Sequence, residues 1–272
     1  MAQAMNTREK ALVYMVGDSY ILARRSETEL VDPQDSTIAI YPHKFMIEQN
    51  YPELSSVDLV LHSRGSMTFR KLMEDLRRNF GRKWSRVMPS LTVVHLGACD
   101  IANEYVAEIP LENMKHYFPN YIEEQIVTWM EIGREFAEKQ NKVEIYNEYL
   151  SHHRWLVVSP PDWGYDFTPK NATTPEDYGK RRCRAVTGLR RQQKRLWLTH
   201  KIAMVFPEIE TVDRVGVHLT PTLQEDYINQ IALAVGSLMC TFCRPTEGQY
   251  VEGEHKHQNL CSGECSHQAA AH

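Results

Sequence analysis

The chain lacks a long apolar run. Nothing in its 272 residues approaches the roughly 20 consecutive apolar residues that cross a bilayer, so no segment reads as a membrane-spanning helix. The opening MAQAMNTREK is polar and has no apolar centre of a secretory signal, and the expected location is cytoplasmic. A surplus of either charge is missing too. Lys and Arg number 31 against 35 Asp and Glu, a formal net charge of −4, which by itself points to no class of partner. The six cysteines, in a chain without a secretion signal, read as reduced thiols or metal ligands and not as a disulfide framework. For the same reason the sequon Asn171-Ala172-Thr173 is read as chance. No internal repeat is present.

What is present is a pattern of strand-length apolar runs separated by helical spacing. The runs are Ala11–Gly17, Ser56–Ser63, Leu91–Gly97, Arg154–Pro161 and Glu208–Val217. Most are continuous rather than alternating, as expected of strands buried on both faces of a parallel sheet. Helical spacing covers Met67–Phe80, Tyr121–Leu150, Glu176–Phe206 and Pro221–Met239. Strand alternating with helix implies right-handed crossovers. The expected fold class is therefore α/β, a flavodoxin-like three-layer α/β/α sandwich with a parallel sheet of about five strands. Residues 1–239 form this domain; residues 240–272 are polar, Gly- and His-rich and nearly core-free, and read as an appendage.

In such sheets the functional site lies outside the carboxyl ends of the strands. Gly17-Asp18-Ser19 ends the first run, which puts the Ser19 hydroxyl at that edge. Backbone N–H groups there can face a developing oxyanion. A serine so placed needs a base. His218 follows the fifth run, and Thr220 and Pro221 have the residue types of an N-cap and a first helical position. A histidine held between a strand end and a capped helix suits a general base.

From Ala11 to Met239 the chain resembles the SGNH (GDSL-type) hydrolases. VGDSY is similar to their first block, with Ser19 as nucleophile. HSRGSMT resembles the second, whose glycine, here Gly65, offers an oxyanion N–H. HLGACDIAN resembles the third, normally Gly-x-Asn-Asp, and VGVHLTPTLQEDYINQI the last, normally Asp-x-x-His. The resemblance implies an ester hydrolase needing no cofactor, with Ser19, Gly65 and Cys99 at the oxyanion positions and Asp18 and Asp100 as binding candidates.

Two positions depart from the family pattern. Cys99 stands where the oxyanion asparagine is expected, and a thiol donates poorly beside a carboxamide. Val215 stands three before His218, where the family has Asp; Asp213 lies two residues earlier, roughly 6–7 Å away on an extended strand. Losing one oxyanion donor costs roughly 10²–10³ in rate. Disabling the triad carboxylate costs roughly 10⁴ in the serine-protease template. The leading expectation is a serine ester hydrolase working through a Ser19–His218 dyad, with Asp213 as a poorly placed orienter. Its substrate would be an ester-bearing small molecule or glycan, with an O-acetyl group as one form. The alternative is a catalytically weak or inactive binding module for a glycan, nucleic acid or protein.

Two further features carry their own expectations. Between Lys180 and Lys201 nine basic residues occur with no acid, which suits either an anion-binding face or a solvated helix face balanced by acidic segments such as Glu123–Glu144. The second reading is preferred, so nucleic acid is not the favoured partner; Trp197 is the sole aromatic in the run. In the tail, Cys240-x2-Cys243 and Cys261-x3-Cys265 are close to zinc-ribbon spacing, with one residue too many in the second pair. Zinc would give a core-poor tail a reason to fold. If these four cysteines form a structural zinc site, metal analysis of the purified protein returns about one equivalent, lost on deleting residues 240–272; less than a tenth of an equivalent, unchanged by that deletion, leaves an unliganded tail.

Overall fold

The computed structural model describes residues 12–21, 36–55, 57–81, 89–102, 106, 108–160, 175–208, 214–215, 218–219 and 221–239. The side chains of residues 19, 36–40, 53, 175–177, 214–215, 218–219 and 221 lie outside that description. The strands β1 (Leu12–Gly17), β2 (Asp58–Ser63), β3 (Leu91–His95), β4 (Arg154–Val158) and β5 (Ile202–Val205) form one sheet in the order β2-β1-β3-β4-β5. Every pairing in it is parallel. The chain winds one way from β1 to β2 and the other way from β3 to β5, so the topological switch lies between β1 and β3.

Helices cover both faces. Strand period two sends Tyr14 and Val16 to one side and Val13 and Met15 to the other. The first side packs under α2 (Phe69–Asn79), α4 (Met114–Lys139) and α6 (Pro175–His200), through Phe69, Leu72, Phe118, Ile122, Ala185 and Leu189. The second packs under α1 (Ser36–Asn50) and α7 (Pro221–Met239), through Ile47, Tyr227, Ile231 and Val235. The result is a three-layer α/β/α sandwich. Two short helices, α3 (Ala98–Ile101) and α5 (Val143–His152), complete the elements that bear on the site, with a separate antiparallel pair β6 (Arg214–Val215) and β7 (His218–Leu219).

The structure corrects the sequence reading at four places. The fifth strand of the sheet is Ile202–Val205, not Glu208–Val217. The helix expected to run to Phe206 stops at His200 because Lys201 turns left-handed (φ 57°) and its N–H returns to the Trp197 carbonyl at 2.9 Å. The four apolar residues that follow fit a helix or a strand equally well by periodicity. Likewise the single helix expected over Tyr121–Leu150 is two. Asn141 is left-handed (φ 55°), its N–H reaches the Glu138 carbonyl, and the Lys142 N–H reaches the Ala137 carbonyl at 2.9 Å, which is a Schellman stop. Helix α1 has no counterpart in the expected elements. Its β-branched residues and internal Pro42 argue against a helix locally, and packing against α7 overrides them.

The fourth correction concerns charge. The basic run is not a plain solvated face: Arg181 and Arg182 are 7 % and 2 % exposed, and Arg181 donates to the Ile109 carbonyl. Further along, Arg195 reaches both Glu123 oxygens at 2.9 and 2.6 Å, and His200 lies 3.1 Å from the same carboxylate. Among the described residues no helix is long and apolar enough to cross a membrane, and no group of three or more His, Cys, Asp and Glu is arranged to hold a metal. The tail cysteines Cys240, Cys243, Cys261 and Cys265 lie outside the described residues.

His153 caps the C-terminal end of α5. It is buried, its Nδ1–H donates to the Pro89 carbonyl at 2.8 Å, and burial lowers its pKa to about 4. The imidazole is therefore neutral in the fold and protonates in the unfolded chain below about 6.5. The unfolded state takes up more protons in that interval, so this group's contribution to stability is complete above 6.5 and lost as pH falls toward 4. In His153→Asn, whose amide keeps a donor near the Nδ1 position, this dependence disappears. The stability difference between wild type and variant should shrink steadily from pH 7 to pH 4, measured by urea unfolding.

Candidate active site

The site begins where β1 ends. Gly17 is glycine for want of space: a Cβ there would stand 2.6 Å from Ile21 Cδ1 and 3.0 Å from His95 Cβ. The chain then turns through Asp18 into a short 3₁₀ helix, Ser19–Ile21. Asp18 is fully buried and holds this turn by four contacts. Its N–H donates to the His95 carbonyl at 3.2 Å, and its own carbonyl accepts from Ser63 Oγ at 2.6 Å. Its Oδ1 accepts the Tyr20 N–H at 3.0 Å and lies 3.1 Å from His95 Nδ1. The carbonyls further along are gripped from both helices of the second layer: Gln224 Nε2 donates to Tyr20 O at 2.6 Å, and His43 Nε2 donates to Ile21 O at 2.7 Å. Burial lowers the His43 pKa to about 4, so this donor is a neutral imidazole.

The neighbouring strand ends close in beside it. The Arg64 N–H donates to Gly17 O at 3.1 Å, which sets the exposed turn holding Gly65 next to the end of β1. On the other side β3 leads through Gly97 into α3. Gly97 has φ 119° and a Cβ there would meet Phe118 Cζ at 2.8 Å, so only glycine fits both the angle and the space. Cys99 sits in the first turn of α3 and is half-buried. Burial, reinforced by Asp18 and Asp100, pushes its thiol pKa far up, so the group is a protonated, weakly donating S–H and no thiolate nucleophile.

Asp100 is 2 % exposed and ties two elements to β3: its Oδ1 accepts from the Phe69 N–H at 3.0 Å and from Tyr121 Oη at 2.7 Å. Burial is the main reason its pKa rises to about 6, with those two bonds opposing it. The first three motifs, around Ser19, Gly65 and Cys99, thus meet at the carboxyl ends of β1, β2 and β3, at the switch point. The fourth is described only by its backbone. Val215 and His218 are register partners across the β6–β7 pair, so the position that carries a carboxylate in the family pattern lies directly opposite His218. His218 belongs to this small pair and does not follow the fifth strand of the sheet. Asp213 lies outside the described residues.

The sequence matches no protein-family model and no curated protein. Solved structures do match. The native aryl esterase of M. smegmatis superposes with a TM-score of 0.51 at 15 % identity, over 84 % of this chain and 100 % of that one. A carbohydrate acetylesterase from Sinorhizobium meliloti superposes with a TM-score of 0.50 at 15 % identity, again over 84 % and 100 %. The fold is that of the SGNH hydrolases. At this level of identity the likeness concerns the SGNH fold and not the chemistry.

Sequence reasoning passed over several residues that build this SGNH-type edge. His95, Tyr20, Tyr178, Arg182, Gln224 and Tyr227 are all buried around the end of β1. Tyr178 Oη donates to Ala98 O at 2.9 Å, and the Arg182 guanidinium lies 5.3 Å from the Tyr178 ring centre. One signal was available. His95 is the one ionisable side chain in LTVVH, and an imidazole inside a doubly buried strand must find polar partners.

The two site glycines make opposite predictions. Gly17→Ala crowds the Ile21 side chain and the His95 Cβ and should cost about 1–3 kcal/mol. At Gly65 a Cβ meets nothing within 4 Å, so Gly65→Ala should unfold within about 0.5 kcal/mol of wild type. Urea titration of the two variants checks both.

Proposed function

We propose that the protein is a serine ester hydrolase of the SGNH type. Ser19 Oγ attacks the ester carbonyl while His218 takes its proton; the alcohol leaves with that proton, and water then releases the acid from Ser19 by the same route. The N–H groups of Ser19 and Gly65 face the oxyanion, with the Cys99 S–H as a weak third donor. Asp213 is the candidate orienter of His218, and where it does not reach, the base works as the second member of a dyad. No cofactor enters this chemistry. One observation carries the reading: the Ser19 turn is clamped by β2, β3, α1 and α7 at the switch point of the sheet. A turn fixed from four elements supports a preorganised nucleophile and oxyanion site.

An ester on a small molecule or glycan is the substrate class. The S. meliloti structure is described as a carbohydrate acetylesterase, which supports an O-acetyl group as the form to test first. A second reading has its own support. The protonated thiol of Cys99 and the apolar Val215 opposite His218 both weaken catalysis, and together they favour a binding module that keeps the cleft and hydrolyses slowly.

Labelling with a fluorophosphonate probe separates the two. The hydrolase reading expects one label per chain, absent in Ser19→Ala; no labelling of folded wild type leaves the binding module. The departures supply a second test. Cys99→Asn restores a carboxamide donor, and Val215→Asp places a carboxylate opposite His218. Each change should raise turnover of p-nitrophenyl acetate at least tenfold, and the pair should exceed either alone, because both act on one transition state. A folded double variant no faster than wild type, and no slower after Ser19→Ala, defeats the esterase reading.

A further inference from the structure

We infer that His95 is a positioning residue, the middle of a Tyr227–His95–Asp18 chain that references the Ser19 turn to the helix following His218. The inference rests on the proposed roles of Ser19 and His218. His95 closes β3, is 1 % exposed and points both ring nitrogens at buried partners. Nδ1 lies 3.1 Å from Asp18 Oδ1, and Nε2 is hydrogen-bonded to Tyr227 Oη. Tyr227 is fully buried on α7, and burial holds its phenol proton far above the usual range. The phenol keeps its proton and is hydrogen-bonded to the imidazole as one buried pair.

The placement argues for alignment rather than for bulk stability. The rest of LTVVH is apolar or small and buried, and apolar side chains at such a position stabilise a sheet without polar matching. Replacing a buried polar or ionic group by packed apolar residues is often neutral or stabilising. What the chain adds is direction. Tyr227 and Gln224 are three residues apart on α7, hence on one face, and both grip the Ser19 turn: Gln224 at the Tyr20 carbonyl, Tyr227 through His95 and Asp18. α7 begins two residues after β7, the strand holding His218. One helix thus serves as the common reference for the nucleophile turn and the strand of the base. An apolar residue at position 95 would fill the space and leave the Asp18 carboxylate without its lateral contact.

The test uses His95→Leu, Tyr227→Phe and His95→Asn in the full chain, with p-nitrophenyl acetate turnover and fluorophosphonate labelling rate. Asn places an amide N–H near the Nδ1 position and keeps the contact to Asp18. The expected result is a kcat at least tenfold lower in His95→Leu, a smaller drop in Tyr227→Phe, KM within about twofold in both, and most of the rate recovered in His95→Asn. Equal rates in wild type and His95→Leu overturn the inference. So does an equal loss in the Leu and Asn variants that follows their loss of thermal stability. If wild type neither turns over the ester nor takes the label, the hydrolase reading falls and the chain is judged by hydrogen exchange. Residues 18–21 should then exchange at least tenfold faster in His95→Leu with the β4 amides unchanged; unchanged exchange at residues 18–21 overturns it.

Discussion

The Asp18 carboxylate is buried at the point where the sheet changes winding direction, and most of the described site hangs from it. A carboxylate taken out of water needs polar neighbours, and here they come from different parts of the chain. The Tyr20 N–H donates to it from the turn itself, and the His95 ring of β3 lies 3.1 Å from the same oxygen. The backbone of the same residue is tied to β2 through Ser63 and to β3 through the His95 carbonyl. Because these groups meet at or beside one residue, β1, β2, β3 and α7 are fixed relative to each other at the switch-point edge. A displaced strand would leave a buried charge unmatched, a cost large enough to exclude nearby alternatives.

The same edge is closely packed around two glycines. Gly17 brings the end of β1 against Ile21 and His95, and Gly97 lets the chain leave β3 beside Phe118. Between them the carbonyls of Tyr20 and Ile21, left over as the 3₁₀ turn ends, are met by Gln224 and by the neutral His43. Asp100 repeats the device one strand over, joining the start of α2 and the side of α4 to β3. Each buried polar group thus fixes an element that apolar packing alone would leave free to slide. The cost is pH sensitivity: His43 and His153 are held neutral, while the raised pKa of Asp100 works in the opposite sense.

Two side chains near this edge depart from the SGNH sequence pattern. Cys99 occupies the right place in α3 with a poor donor, and Val215 the right register position with no charge. Burying a thiol needs no partner, whereas a carboxamide at Cys99 would need one.

The sequence by itself determined the class of fold, four of the five strands and the three motifs that meet at the switch point, because continuous apolar runs and glycine-bounded strand ends are local signals. It left the fifth strand inside a helix, merged α4 with α5 and gave no sign of α1. Those outcomes turn on left-handed stops at Asn141 and Lys201 and on packing of α1 against α7; a lysine carries no local mark of such a stop and an asparagine a weaker one than glycine. Tertiary structure alone decided that Arg181 and Arg182 are buried at the start of the basic run, and that His95, Gln224 and Tyr227 meet at Asp18 and its turn. Gln224 Nε2 and the Tyr20 carbonyl are 204 residues apart in the chain. No period or motif encodes such a meeting; it exists only because burial leaves each polar atom no water to turn to.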